Sequence, residues 1–293
     1  MISLQQIKLP ITHLEEELQE KIADILGLTF EQVKDFHITK RAIDSRKKRQ
    51  MIYFVYSIEL SIENELNVLK SKIAKKNTKF HRICMKKPNV YEIPEVNVTK
   101  QDKRPIIVGS GPCGLFAALI LAKAGMKPLV IERGGDVDSR IKDVETFLST
   151  GILNTKSNIQ FGEGGAGTFS DGKLNTLINN PRIKYIFDEL VKAGAPDSIL
   201  YDAKPHIGTD KIRGVAKNIR EQIISRGGEV RFNTKLTDIK TDGKKLTSII
   251  LDDTEEIETD TLVLAIGYSA RDTYEMLFEK RELITHSCHN DVF

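Results

Sequence analysis

The sequence of 293 residues predicts an α/β chain: a Rossmann-like domain, built on a parallel sheet with an antiparallel β-meander, preceded by a small α+β domain. Three observations carry the prediction. Residues 104–133, RPIIVGSGPCGLFAALILAKAGMKPLVIER, read as strand, glycine turn, helix and second strand. Short alternating runs from Glu229 to Glu258, broken at Asp242-Gly243 and Asp252-Asp253, read as one strand followed by a meander. Ahead of residue 98 the pattern order is β-α-β-β-α-β, the split βαβ arrangement.

The α+β domain is expected over residues 1–97 and is ferredoxin-like in its order. Ile2 to Leu9 reads as a strand. Leu14, Leu18, Ile22, Ile25 and Leu26 recur at helical spacing, and Gly27 stops the helix. Val33 to Arg41 and Met51 to Ile62 read as strands flanking a basic loop, Ser45-Arg46-Lys47-Lys48-Arg49. Asn64 to Lys76 reads as a second helix and Phe80 to Met85 as a last strand; residues 98–104 are a linker. The basic loop invites a nucleic-acid reading, but that mode needs aromatics on one sheet face, whereas Tyr53 and Tyr56 alternate. A solvated loop, or a docking surface against the second domain, is the expectation.

The second domain is expected over residues 105–279, with an insert at 140–212 and an atypical tail from 280. Pro105 to Val108 suits a buried parallel strand. In the G-x-G-x-x-G turn that follows, Gly109 permits the bend and Gly111 lets backbone approach a pyrophosphate. Gly114 lets the helix from Leu115 to Ala124 pack against the strand. That helix start offers free N–H groups and partial positive charge. Pro128 to Ile131 forms the next strand, and Glu132 at its end suits a ribose hydroxyl. Arg140 suits the pyrophosphate or the ribose, and equally a surface charge.

Val144 to Leu153 reads as a helix. Five glycines then fall between 162 and 172 in FGEGGAGTFSDGKL, where neither helix nor packed strand fits. Such a run shapes an anion-binding concavity or lies against a planar ligand. Helices are expected over Asn180–Gly194 and Ile212–Arg226, an extended stretch over 199–212, and a central parallel strand over Thr261–Ile266, ending in Gly267.

Composition excludes several classes. With 40% hydrophobic and 29% charged residues the chain is an ordinary globular one, long enough for two cores. Residues 1–104 carry 20 Lys/Arg against 14 Asp/Glu and the remainder 24 against 27, so the basic excess lies ahead of the glycine turn. Cys84, Cys113 and Cys288 form no C-x-x-C pair, which argues against a disulfide framework, a zinc site or dithiol chemistry. Cys113 is a small residue that fits the turn. His286, Cys288 and His289 sit at a frayed tail, and no metal is expected there. The N-terminus lacks a signal pattern and no apolar run approaches the ~18 residues of a membrane span, so a cytoplasmic protein is expected.

Strand, glycine turn, helix, strand-Glu, insert, helix, strand, meander and Leu264-Ala265-Ile266-Gly267 together resemble the FAD-binding domain of glutathione-reductase-like flavoproteins. FGEGGAGTFSDGKL, PHIGTDKIRGV, AIGYSARDTYEML and the stretch Arg41 to Lys48 resemble, more narrowly, a bacterial family of FAD-dependent dehydrogenases of unknown substrate. The resemblance extends to about Phe278; past it the relatives continue with a substrate region and a second flavin-contacting motif. It implies a C-terminally truncated member.

The resemblance assigns cofactor contacts to Gly109, Gly111, Pro112, Gly114 and Gly267 around the dinucleotide, with Ala265 beside Gly267. It gives the ribose to Glu132 and a place beside the adenine to Arg133 and to the backbone of Leu236. Gly164, Gly165, Gly167 and Thr168 fall on the flavin side. Asp171, Lys173 and His206 are candidates for facing the flavin. The expected cofactor is FAD, and the expected partners are a small-molecule substrate or an electron donor such as NAD(P)H. An NAD(P)-binding dehydrogenase, which the meander disfavours, and a non-catalytic nucleotide-binding remnant are the alternatives.

Overall fold

The computed structural model describes residues 1–46, 51–87, 90–96, 103–176, 178, 180–243 and 245–280. Lys47, Lys48 and Arg49 of the basic loop, and the tail with His286, Cys288 and His289, lie outside them. Contacts divide the chain into two compact units. One joins Met1–Tyr91 to Asn180–Phe187 and Asp197–Pro205; the other joins Glu92–Asn179 to Asp188–Pro196 and His206–Phe293.

In the first unit four antiparallel strands, β1 (Ile2–Pro10), β2 (Phe36–Asp44), β3 (Tyr53–Leu60) and β4 (Arg82–Met85), lie in the order β2-β3-β1-β4. Helix α1 (Glu15–Leu26) is closed by Gly27 in the left-handed region. The apolar positions of β1 change phase midway: Ile2 and Leu4 are buried, then Ile7 and Leu9. Plain alternation would put the second pair on the other face. A bulge at Gln6, whose φ is +68°, absorbs one residue and keeps all four in one core with Ile22, Leu26 and Ile58.

The expected helix over 64–76 is two short ones, α2 (Glu65–Lys70) and α3 (Lys72–Asn77). Ser71 breaks the run: its backbone is extended and its Oγ accepts the Ala74 N–H at 3.1 Å as the cap of α3. Residues 201–203, expected in the insert of the other domain, extend the free edge of β2. The Arg41 N–H donates to Tyr201 O at 2.6 Å and the Ala203 N–H to Arg41 O at 3.0 Å. Arg41 also donates two hydrogen bonds to Asp202 and lies over the rings of Phe54 and Tyr201.

The second unit is a parallel sheet in the order β11-β5-β6-β7 with a separate antiparallel meander. Its strands are β5 (Ile106–Val108), β6 (Leu129–Ile131), β7 (Glu229–Arg231) and β11 (Leu262–Leu264); the meander is β8 (Leu236–Asp242), β9 (Lys245–Leu251) and β10 (Glu255–Glu258). β5 and β6 are wholly buried and apolar, as strands covered on both faces must be. They share a core with Ile249 and Leu251 of the meander.

Helices α4 (Pro112–Lys123), α5 (Val137–Thr150), α7 (Ile212–Ser225) and α8 (Arg271–Glu279) complete the unit, while α6 (Pro181–Lys192) belongs in part to each. α5 begins well before the expected Val144, because Asp136 caps it by accepting the Ser139 N–H at 2.8 Å. Helix α8 was not expected from the sequence. No helix among the described residues is long and apolar enough to cross a membrane.

Candidate functional site

The site starts where β5 hands the chain to α4. Two of the three motif glycines are fixed by the protein itself. A Cβ on Gly109, which sits at φ +102°, would lie 2.3 Å from Ala265 O, and one on Gly114 would lie 1.8 Å from Gly109 O. Gly111 differs. Its φ of −67° suits any residue, and a Cβ there would meet nothing nearer than Gly165 Cα at 3.9 Å. Packing therefore explains Gly109 and Gly114, while the bare Gly111 leaves a cradle that a side chain would fill. Pro112 occupies the first turn of α4, whose start carries no side-chain cap and no acid. Its N–H groups and partial positive charge remain available to an anion.

Glu132, at the end of β6, is almost fully buried. Its Oε2 accepts from the Ser110 N–H at 2.8 Å and the Ser110 Oγ at 2.9 Å, and its Oε1 accepts from the Gly134 N–H at 2.9 Å. A carboxylate offers about four acceptor positions, so capacity for a further hydroxyl remains. Ser110, an unspecified position of the motif, holds Glu132 in place and was missed from sequence.

The second glycine run docks on the first. Gly164 N–H donates to Ser110 O at 2.8 Å, and the Cβ direction of Gly165 points at Gly111 Cα and Pro112 Cδ, both 3.3 Å away. Thr168 is buried with its hydroxyl donating to Glu163 O at 3.0 Å, and a Cβ on Gly164 would strike that hydroxyl. Gly167 faces open space. Glu163, also missed, is fully buried: its Oε2 accepts from Val137 N–H at 2.8 Å and Arg220 at 3.2 Å, while Oε1 has no partner. Burial pushes its carboxyl above the usual range, against the hydrogen bond from Val137 and the charge of Arg220. A lone acid within a glycine run gave no sign of these distant partners.

Arg140, expected equally as a ligand contact or a surface charge, is not a surface charge. It is fully buried, and its guanidinium donates to the carbonyls of Asn158, Ile159 and Glu163. Burial lowers its pKa to about 10, opposed by Glu132 and Glu163. Its place is as a post under the glycine run, where a Cβ on Gly162 would fall 2.2 Å from Arg140 Cδ. Arg133 is also engaged: it forms two bonds to Asp272, at 3.0 and 3.1 Å, reaches Thr273, and lies 4.8 Å over the Phe161 ring. Lys235 meets the same carboxylate at 2.8 Å. Burial raises the Asp272 carboxyl, but the hydrogen bonds from Lys235 and Arg133 outweigh it and hold the pKa at about 2.

Leu236 opens β8 with a buried side chain. Ala265 N–H donates to Val108 O at 2.8 Å, which seats the end of β11 against the turn, and Gly267 follows at φ +67° with open space before it. Asp171, Lys173 and His206 do come together, since residues 171–173 pair with 206–208 in a short antiparallel bridge. Lys173 and Asp171 form an exposed ion pair at 3.1 Å, whose hydrogen bond lowers the Asp171 pKa. Cys113 is exposed and free.

Residues 103–141 match the model of an FAD binding domain, and residues 1–61 that of a domain of unknown function, DUF8436. An uncharacterized protein of Clostridium beijerinckii is 47% identical over 265 residues; the match takes in 90% of this chain and 48% of that protein. The chain thus spans about half the length of this curated relative. Among solved structures, thioredoxin reductase of Lactococcus lactis is 17% identical with a TM-score of 0.30, over 56% of this chain and 35% of its own. THI4 of Thermovibrio ammonificans is 16% identical with a TM-score of 0.40, over 61% and 62%. These scores are too low to carry a fold assignment.

Proposed function

We propose that this chain holds FAD and forms the cofactor-binding part of an FAD-dependent oxidoreductase. One observation carries the reading: Gly111 keeps a space that no protein atom uses, at the uncapped start of α4, inside the segment that matches an FAD binding domain. The buried Glu132, with acceptor capacity to spare, supports its pairing with a ribose. FAD, when bound, supplies transfer of two reducing equivalents. The residues' own task is to position it. The start of α4 with Gly111 and Pro112 receives the pyrophosphate, and the loop of Gly164, Gly165, Gly167 and Thr168 lies toward the flavin side. Gly267, beside Ala265, leaves room at the end of β11. Arg133, stacked on Phe161, borders the adenine together with Leu236.

In the same reading the chain belongs with bacterial FAD-dependent dehydrogenases. The main part of the first unit falls in a ferredoxin-like domain of residues 1–97, a reading that the strand order β2-β3-β1-β4 supports. The second unit makes up most of the domain of residues 105–279, the electron donor is NAD(P)H or a small-molecule substrate, and the setting is cytoplasmic. Asp171, Lys173 and His206, joined by one bridge, are the groups proposed to face the flavin.

A visible spectrum of the purified protein incubated with FAD and desalted tests the reading. Retained flavin bands that bleach with dithionite are expected. A colourless protein whose melting temperature rises with NADH would instead favour a nicotinamide site, and a protein indifferent to both would leave a non-catalytic remnant.

A further inference from the structure

Two cations share one aromatic ring in the second glycine run. The Arg140 and Arg213 guanidinium carbons each lie 4.9 Å from the centroid of Phe169. Their situations differ. The donors of Arg140 end on backbone carbonyls, as described above. Arg213, in the first turn of α7, makes no hydrogen bond or ion pair among the described residues, and its Nε is shut off from water without a partner.

The neighbouring carboxylates do not answer that charge. Glu132 is held by Ser110 and Gly134, and Glu163 by Val137 and Arg220. The first turn of α7 has no acid and no side-chain cap. A buried N–H without an acceptor is destabilising by about 1–3 kcal/mol, and more when the group is charged. Here the donor's guanidinium lies over Phe169, four residues along the chain from Gly165, which packs on Gly111 of the dinucleotide turn. Arg140 has Glu132 and Glu163 as nearby charges, whereas Arg213, on the same ring, has no acceptor of its own among the described residues, and there an anion is missing from the protein's own set.

We propose that Arg213 anchors an oxyanion of the bound ligand beside Phe169: a phosphate of the dinucleotide or the carboxylate of an acidic substrate. The shared chemistry is a planar guanidinium gripping two oxygens, a geometry that Lys does not reproduce. The proposal rests on the dinucleotide reading of the site, and its test separates the two.

The protein and its Arg213→Met and Arg213→Lys variants are titrated with FAD by flavin fluorescence, and with inorganic pyrophosphate and with succinate by thermal shift. Arg213→Met is expected to weaken at least one of these by about tenfold or more, with a smaller loss in Arg213→Lys. Loss toward FAD and pyrophosphate assigns the anchor to the cofactor's phosphate. Loss confined to succinate assigns it to an acidic substrate. If Arg213→Met does not fold, Arg213→Lys carries the comparison. Equal binding of all three ligands by protein and variants overturns the anchor, as does a protein that binds none of them. A protein that ignores FAD but binds pyrophosphate or succinate through Arg213 keeps the anchor and removes the flavin reading.

Discussion

At the scale of single residues, the three glycines of the turn separate packing from binding. Gly114→Ala places a methyl 1.8 Å from Gly109 O, a backbone atom that cannot swing away. We expect a loss of about 2–3 kcal/mol of stability, read as the urea midpoint. Gly111→Ala meets no protein atom within 3.9 Å and keeps an allowed φ, so its stability stays within about 1 kcal/mol of the parent. Its FAD affinity should nonetheless fall by about tenfold, near 1.4 kcal/mol. A Gly111→Ala protein that binds FAD normally would remove the reading of that space. The motif was legible in the sequence because every member lies in one local unit. Ser110 and Glu163 were not, because Ser110 acts through Glu132 and Glu163 through Arg220, partners brought near only by the fold.

At the scale of elements, chain phase and caps decide what a hydrophobic pattern becomes. Strand β1 was legible as a strand, but its bulge was not, since Ile7 and Leu9 restart the alternation without a glycine to mark the place. Gln6 carries a positive φ that glycine adopts freely, so Gln6→Gly should be neutral or stabilising by up to about 1 kcal/mol. Deleting Gln6 should leave Ile2, Leu4, Ile7 and Leu9 on one face by plain alternation, so the unit should still fold with its circular dichroism retained, whereas loss of that signal would mean that the bulge itself is required.

Asp272 ties the end of β6 to α8 and the entry of the meander through Arg133 and Lys235. Its folded pKa of about 2 lies below the ordinary 3.8. The stabilisation is therefore present above about pH 4 and is lost as pH falls through about 2. The carboxylate is well exposed, so screening limits its contribution to about 1 kcal/mol. The urea midpoints of the parent and Asp272→Asn should differ at pH 7 and converge by pH 2. A constant gap would mean that Asp272 acts through packing.

For the molecule as a whole, the two cores have no residue in common. Ile2, Leu4, Ile22, Leu26 and Ile58 form one, and Ile106, Val108, Ile131, Ile249 and Leu251 the other. Both were legible as hydrophobic periodicity. The allotment of residues 180–187 and 197–205 to the first unit was not, because it follows from pairings such as Arg41 with Asp202 that no local pattern announces. Separate cores make a separable prediction. Ile58 is wholly buried, and Ile58→Ala should destabilise the first unit by about 2–5 kcal/mol, read by urea. Everything that shapes the proposed cofactor site, from Gly109 to Gly267, lies in the other unit. FAD affinity, measured below the urea range where the variant begins to unfold, should therefore match the parent. A drop of tenfold or more would mean that the cofactor site draws on the first unit, and the assignment of FAD binding to the second unit alone would have to be given up.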